Sequence, residues 1–356
     1  MASKESKQSG LQEILVPLGA IILGLLVGAV IILTMGENPF RAYAALFYGA
    51  FGSLNRILGT LTRATPIIIT GLAVALPFKA GLFNIGVEGQ MLMGALAAAI
   101  VGSNLRGLPL AVHLPLTIVA AALGGGLWAL IPAWLKAKRG IHEVINTIMM
   151  NFIANAVLAY MVVEVLRAPG EMIPKTPPIL STALLARFSD FIPGITARLN
   201  MGFILALLAA VALYYFLWRT TTGYEIRAVG LNSKAAEYAG INVPNRIVMA
   251  MVLSGVLAGL AGAERILGFD RTLALGFSPG FGFEGIAVAL LGRNHPVGVI
   301  LAAILFGALS SGGVWLSFAT DVPSDIVVVL QATIIFFVAA DQIVRAIILP
   351  KKKGAA

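Results

Sequence analysis

Uncharged apolar stretches of about 20 residues recur along the chain, the length that one helix needs to cross a hydrocarbon core. They predict spans near 14–34, 60–78, 88–103, 114–135, 144–164, 199–218, 247–264, 283–292, 296–318 and 324–348. The eighth run is short, and the second and third are interrupted. Residues 42–55 are also apolar but too few to span, and they suit an interfacial or re-entrant helix. The expected class is an all-α polytopic membrane protein with about ten transmembrane helices. The first run is longer than a signal-peptide core and no small-x-small cleavage site follows, so it is read as a retained span.

The pattern breaks at GLFNIGVEGQ, residues 81–90, between the second and third spans. Here Asn84, Glu88 and Gln90 sit between apolar sequence on either side. An ionisable group at membrane depth is costly and faces a bundle interior or a cavity. Glycines that loosen the backbone there fit a discontinuous helix lining that cavity. If the segment is helical, Asn84 and Glu88 share one face by their i,i+4 spacing. The alternative for Glu88 is a carboxylate buried against polar groups of another helix, or hydrated at an interface.

A second Gly-rich turn with Glu-Gly and a small-residue helix, GFGFEGIAVALLG at 280–292, echoes residues 81–102. In a ten-span layout the two turns open on opposite sides, the arrangement of an inverted repeat with the path between its halves. The first repeat is placed at about 60–164 and the second at about 247–348, in one transmembrane domain covering 1–356. Glu284 carries the same argument as Glu88, more weakly, and Phe277, Phe281 and Phe283 can either stack on a ring or anchor at an interface.

Composition supports this picture. The chain is 59% hydrophobic and 12% charged, against about 25% charged in globular chains. Its formal charge of +9 comes from loops and tails rather than from one basic domain. That suits anionic lipid headgroups and not a nucleic-acid footprint. Cysteine is absent, which excludes disulfides and thiol chemistry. Basic residues set the orientation: Lys351, Lys352 and Lys353 place both termini in the cytoplasm, together with Lys136, Lys138 and Arg139. The proline-rich loop 167–198 is then external and suits a structured cap.

The cytoplasmic loop 219–246 contains GYEIRAVGLNSKAAEYAGINV at 223–243. Asn232 or Ser233 can cap a short helix, and Gly240 can end it in the left-handed conformation. Ala235, Ala236 and Ala239, read as exposed, let a partner approach closely, while Arg227, Lys234 and Glu237 set register. The competing reading is a solvated loop helix without a partner. Span five carries Glu143, Thr147, Asn151 and Asn155 at successive i,i+4 positions. This stripe either lines a path for a polar solute or makes interhelical hydrogen bonds. Glu143, near the basic run ending at Arg139, reads as a surface ion pair.

Several motifs carry no chemistry. GFGFEG has no preceding strand for a dinucleotide site, and no P-loop occurs. His113, His142 and His295 are too dispersed for a metal set or a triad. No cofactor is expected on this chain. The glycines at 124–126 and 312–313 read as close helix packing.

LFNIGVEGQ and RAVGLNSKAAEYAGINV together resemble the permease subunits of bacterial ABC importers of the vitamin B12, simple-sugar and branched-chain amino acid group. LFNIGVEGQ is most similar to the nucleoside permeases, and HEVINTIMMNFIA (142–154) with the loop 167–198 resembles the longer of their two permeases. The resemblance covers about 14–348 and implies a type II importer fold in the bacterial inner membrane. It implies that residues 227–243 are a coupling helix and that ATP and Mg are held by a separate ATPase with two nucleotide-binding modules. It also implies a second permease subunit and an extracellular lipid-anchored binding protein. Phe83, Asn84, Glu88, Gln90, Asn151, Asn155 and Glu284 are the expected residues of the path. The alternatives are a permease for simple sugars or branched-chain amino acids, and an ion-coupled secondary transporter in which Glu88 carries the proton. A membrane scaffold leaves the polar groups without purpose, and an intramembrane enzyme lacks an identifiable nucleophile and base.

Overall fold

A computed structural model describes residues 2–340 and 344, with side chains from residue 15 onward. Its helices are α1 (Ala2–Thr34), α2 (Pro39–Phe51), α3 (Leu54–Lys79), α4 (Val87–Asn104), α5 (Leu110–Arg139), α6 (Glu143–Tyr160) and α7 (Gly202–Arg219). There follow α8 (Thr221–Leu231), α9 (Ser233–Tyr238), α10 (Val243–Glu264), α11 (Phe281–Leu291), α12 (Pro296–Ala319) and α13 (Ile326–Ala339). Short π-helical turns, Met161–Val165 and Arg265–Asp270, extend α6 and α10.

Seven helices are long and apolar enough to cross a membrane by length and composition. The chain is a multi-pass membrane protein. Three further helices fall on other expected runs: α4 carries the polar residues Glu88 and Gln90 in its first turn, and α11 and the described part of α13 are short. The expected span at 60–78 begins earlier, at Leu54, because Ser53 caps it by accepting the Arg56 N–H. The apolar stretch at 42–55 forms α2, started by Pro39 and by Asn38, whose Oδ1 accepts the Phe40 N–H at 2.9 Å. The ends of the expected span 324–348 and of the second repeat, and the tail Lys351, Lys352 and Lys353, lie outside the described residues.

The helices pack in a crossed pattern. α3 is buried continuously from Ala64 to Pro77 and packs on α11 and α12, while α10 packs on α4 and α5. Thus α3, from the first half of the chain, packs among helices of the second, and α10, from the second half, packs among helices of the first. Small residues permit the approach. A methyl added at Gly259 of α10 would strike the Ala121 carbonyl of α5, and one at Gly94 of α4 would strike Gly259. Without a hydrophobic drive between helices in lipid, van der Waals contact of this kind holds a bundle together.

The loop 167–198 is structured. It folds through two short 3-10 turns, and its backbone bonds to the ends of α4 and α10 through Leu180 N–H to Gly102 O and Leu185 N–H to Leu267 O. Arg187 ties it further by donating to the carbonyls of Gly268 and Phe269 at 3.0 and 2.8 Å.

Candidate functional site

Residues 81–86 are not helical. Gly81 takes φ +73°, and the chain turns back into the bundle before α4 starts at Val87. Asn84 and Glu88 therefore do not share a helix face: Asn84 lies in the turn and Glu88 in the first turn of α4. The reason is the glycine pair at 81 and 86 together with a better set of hydrogen bonds for the Asn84 amide than a helix face offers. Its Nδ2 donates to Gln90 Oε1 at 3.1 Å and Ser254 Oγ at 2.9 Å, and its Oδ1 accepts the Gly86 N–H at 2.9 Å.

Asn84 and Gln90 are each about fully buried, at 1% exposure, and neither lines either of the two central cavities described below. They lock the break to α10. Replacing Asn84 with Ala leaves buried partners unpaired, an expected loss of about 1 to 3 kcal/mol. A thermal midpoint in detergent equal to that of the unmodified chain would show the amide to be dispensable. Phe83 also stays out of the cavities and packs edge-on against Phe78, with ring centroids 5.0 Å apart.

Glu88 sits where two helices begin. Its Oε2 accepts the Gly282 N–H of α11 at 2.7 Å, while Glu88 itself occupies the first turn of α4. Two positive helix ends converge there, and the carboxylate, carried in the first turn of α4, satisfies an N–H at the start of α11. Asn151 completes the junction from α6: its Oδ1 accepts the Gly89 N–H at 2.8 Å and its Nδ2 donates to the Ile85 carbonyl at 2.9 Å. Thus the polar stripe on α6 divides. Glu143 pairs with Lys136 at 2.7 Å, Thr147 bonds back to its own helix, Asn151 holds the break, and Asn155 is exposed.

Glu88, Asn151 and Asn155 line an open cleft of about 400 Å³ with Phe277, Ser278 and Phe283. The cleft combines aromatic walls with a few convergent polar groups, the composition of a site for a small polar ring compound. Glu284 does not reach it. It faces a second cavity, of about 640 Å³, lined also by Phe281, Arg63 and Arg265. Pro279 contributes to both walls, so the start of α11 separates the two spaces. Arg63 and Arg265 were not singled out in the sequence, although each lies in or beside an apolar run, the signal that drew attention to Glu88. Arg63 donates to Ser310 Oγ at 3.0 Å, and Arg265 pairs with Asp270 at 2.9 Å and lies 3.9 Å from the Phe269 ring centre.

At the other end of α3, the segment 223–243 forms α8 and α9. Asn232 caps α9 by accepting the Ala235 N–H at 3.0 Å, and Gly240 takes φ +83°. Lys234, Ala235, Glu237 and Ala239 are exposed, but Ala236 is buried at 4%. The exposure expected of Ala236 is corrected: a one-turn helix lying on α10 must turn one face inward, and Ala236 is on it. Above α9, Gly230 touches the Lys79–Gly81 turn so closely that a methyl there would overlap the Lys79 carbonyl.

The chain is 47% identical over 349 residues to the guanosine ABC transporter permease protein NupP of Bacillus subtilis, covering 97% of this chain and 99% of that one. It is 37% identical to the nucleoside ABC transporter permease protein NupB of Lactococcus lactis, over 96% of this chain and 95% of the relative. The glucose ABC transporter permease protein TsgB13 of Haloferax volcanii is 36% identical over 92% of this chain and 87% of its own. A helical bundle with a broken, polar junction at its centre, matched over residues 56–339 by one family pattern, places this chain in the branched-chain amino acid transport system / permease component family.

Proposed function

We propose that the chain is the permease subunit of an ATP-driven importer and that it carries nucleosides through the Glu88–Asn155 cleft. The observation that carries the reading is the near full-length 47% identity to a guanosine permease. The cleft is consistent with it. Phe277 and Phe283 offer faces for a flat base, and the unbonded Asn155 amide offers a donor and an acceptor to ring or ribose groups.

The ATPase partner engages the exposed residues Lys234, Ala235 and Glu237 of α9, with Asn232 and Gly240 shaping that helix. A second permease completes the path, and a binding protein delivers substrate on the side of the cap, in a bacterial inner membrane with both termini cytoplasmic. Movement of α9 reaches the site through a short series of contacts. Gly230 of α8 bears on Lys79–Gly81, that turn leads into the break, and the break is latched to α11 through Glu88. ATP-driven closure then biases the two states of the path.

The test is uptake of radiolabelled guanosine into vesicles holding the complete importer. Uptake is expected to require ATP, to persist when the proton gradient is collapsed, and to be competed by nucleosides but not by glucose. Competition by glucose would assign the sugar reading, to which the 36% identical relative points, and collapse with the gradient would assign ion coupling. In the same assay Gly230→Val is expected to lower uptake per ATP hydrolysed about fivefold or more, the size of a typical coupling between sites. Unchanged coupling would remove the Lys79 contact from the transmission route.

A further inference from the structure

Four elements bring side chains to one indole ring at the end of the bundle that carries α8. Trp218, in the last turn of α7, stacks on Tyr214 with ring centroids 5.3 Å apart. His295, from the turn between α11 and α12, lies 5.1 Å from Trp218 and 5.8 Å from Tyr214. Lys79 Nζ, at the end of α3, is 5.8 Å from the Trp218 ring centre, and Arg227 Cζ of α8 is 5.9 Å from it.

These cations have no counter-charge among the described residues. Of the acidic groups at this end, Glu143 pairs with Lys136 and Glu225 with Arg246, while Glu237 is exposed on α9. Arg227 Nε is buried without a hydrogen-bond partner. His295 Nδ1 accepts the Val297 N–H at 3.3 Å, which in the neutral ring assigns the proton to Nε2. Burial, and then the Lys79 charge, hold that imidazole below its ordinary value.

The setting is a membrane interface. Leu208, Val211 and Tyr215 are exposed along the outer side of α7, and Tyr214, Tyr215, Trp218 and Tyr224 gather at its end, as aromatic residues do at headgroup level. At that level the abundant anion is a lipid phosphate, and basic pockets between helices bind such headgroups. Arg227 is turned toward Trp218, whereas Lys234, Ala235, Glu237 and Tyr238 are among the exposed side chains of α8–α9 available to a protein partner.

We propose that Lys79, Arg227 and the Nε2–H of His295 form a site for the phosphate of an anionic phospholipid headgroup, seated against Trp218. The site is independent of which solute is carried. A bound phosphate ties the end of α3 to α8 and to the α11–α12 turn, so membrane charge sets how firmly these elements move together.

The experiment is native mass spectrometry of the complete importer released from nanodiscs of mixed phosphatidylglycerol and phosphatidylcholine. The expected result is phosphatidylglycerol retained on the permease, and retention reduced about tenfold in the Lys79→Gln/Arg227→Gln double variant. Lys79→Arg, which keeps the charge, retains the lipid and controls for misfolding. The proposal is overturned if the double variant retains phosphatidylglycerol as the unmodified importer does. It is equally overturned if millimolar inorganic phosphate displaces the lipid from the unmodified importer, which would make the pocket a free-anion site. Loss of the ATPase from the double variant with lipid retention unchanged would assign Arg227 to subunit docking instead.

Discussion

Glu88→Ala lowers uptake per folded copy of the importer by about tenfold to a hundredfold, and Glu88→Gln lowers it only a few-fold. The carboxylate accepts the Gly282 N–H at the point where α4 and α11 both begin. Alanine leaves that N–H without an acceptor inside the bundle, and losing a charge-assisted hydrogen bond costs about 1.5 to 3 kcal/mol. Glutamine keeps a carbonyl acceptor in the same place and forfeits only the attraction of a full charge to the helix ends, about 0.3 to 1 kcal/mol each. The comparison separates a latch from a proton carrier. If the Gln variant is as inactive as the Ala variant, the charge or its titration is required and Glu88 does more than join two helices. The assay is ATP-dependent guanosine uptake normalised to folded permease.

A large effect on folding is expected at Gly255. A methyl there would overlap the Gly125 carbonyl of α5 and stand 2.5 Å from the Ala129 Cβ. Valine forces α5 and α10 apart along a stripe that also includes Gly259 and Ala121, and overpacking a core costs about 1 to 3 kcal/mol or more. In lipid no hydrophobic gain compensates for the lost contact. Gly255→Val is therefore expected to yield about tenfold less monodisperse protein by size exclusion in mild detergent. Gly59→Ala is the control, since a methyl there meets only Ser311 Oγ at 3.8 Å. Wild-type recovery of the valine variant would mean that the α5–α10 approach is not needed for assembly.

Much of the architecture was legible because it is local. Apolar runs marked the helices, Asn232 marked its own cap, and Gly81 and Gly240 marked turns, since each depends on residues within a few positions. The break at 81–90 was visible for the same reason. The roles within it were not. Asn84, Asn151 and Asn155 are equivalent in sequence, as amides in apolar surroundings. Only the fold distinguishes the first, whose bonds are all satisfied within the bundle, from the last, which faces the cleft.

Arg63 and Arg265 show the converse. Each was readable as a charge in or beside a span, but their shared cavity exists only because α3 and the end of α10 are brought together with α11 and α12. The same holds for the inward turn of Ala236, which depends on α10 lying beneath α9.

The sequence by itself determined that this is a charge-poor helical membrane protein, where most of its helices lie, and that residues 81–90 interrupt them, because periodicity and capping act over one or two turns. The tertiary structure alone decided that Glu88 meets Gly282, 194 positions away, and that α3 and α10 each sit within the other half. Those contacts arise from which small-residue faces let backbones approach, a property of helix pairs that no single segment contains.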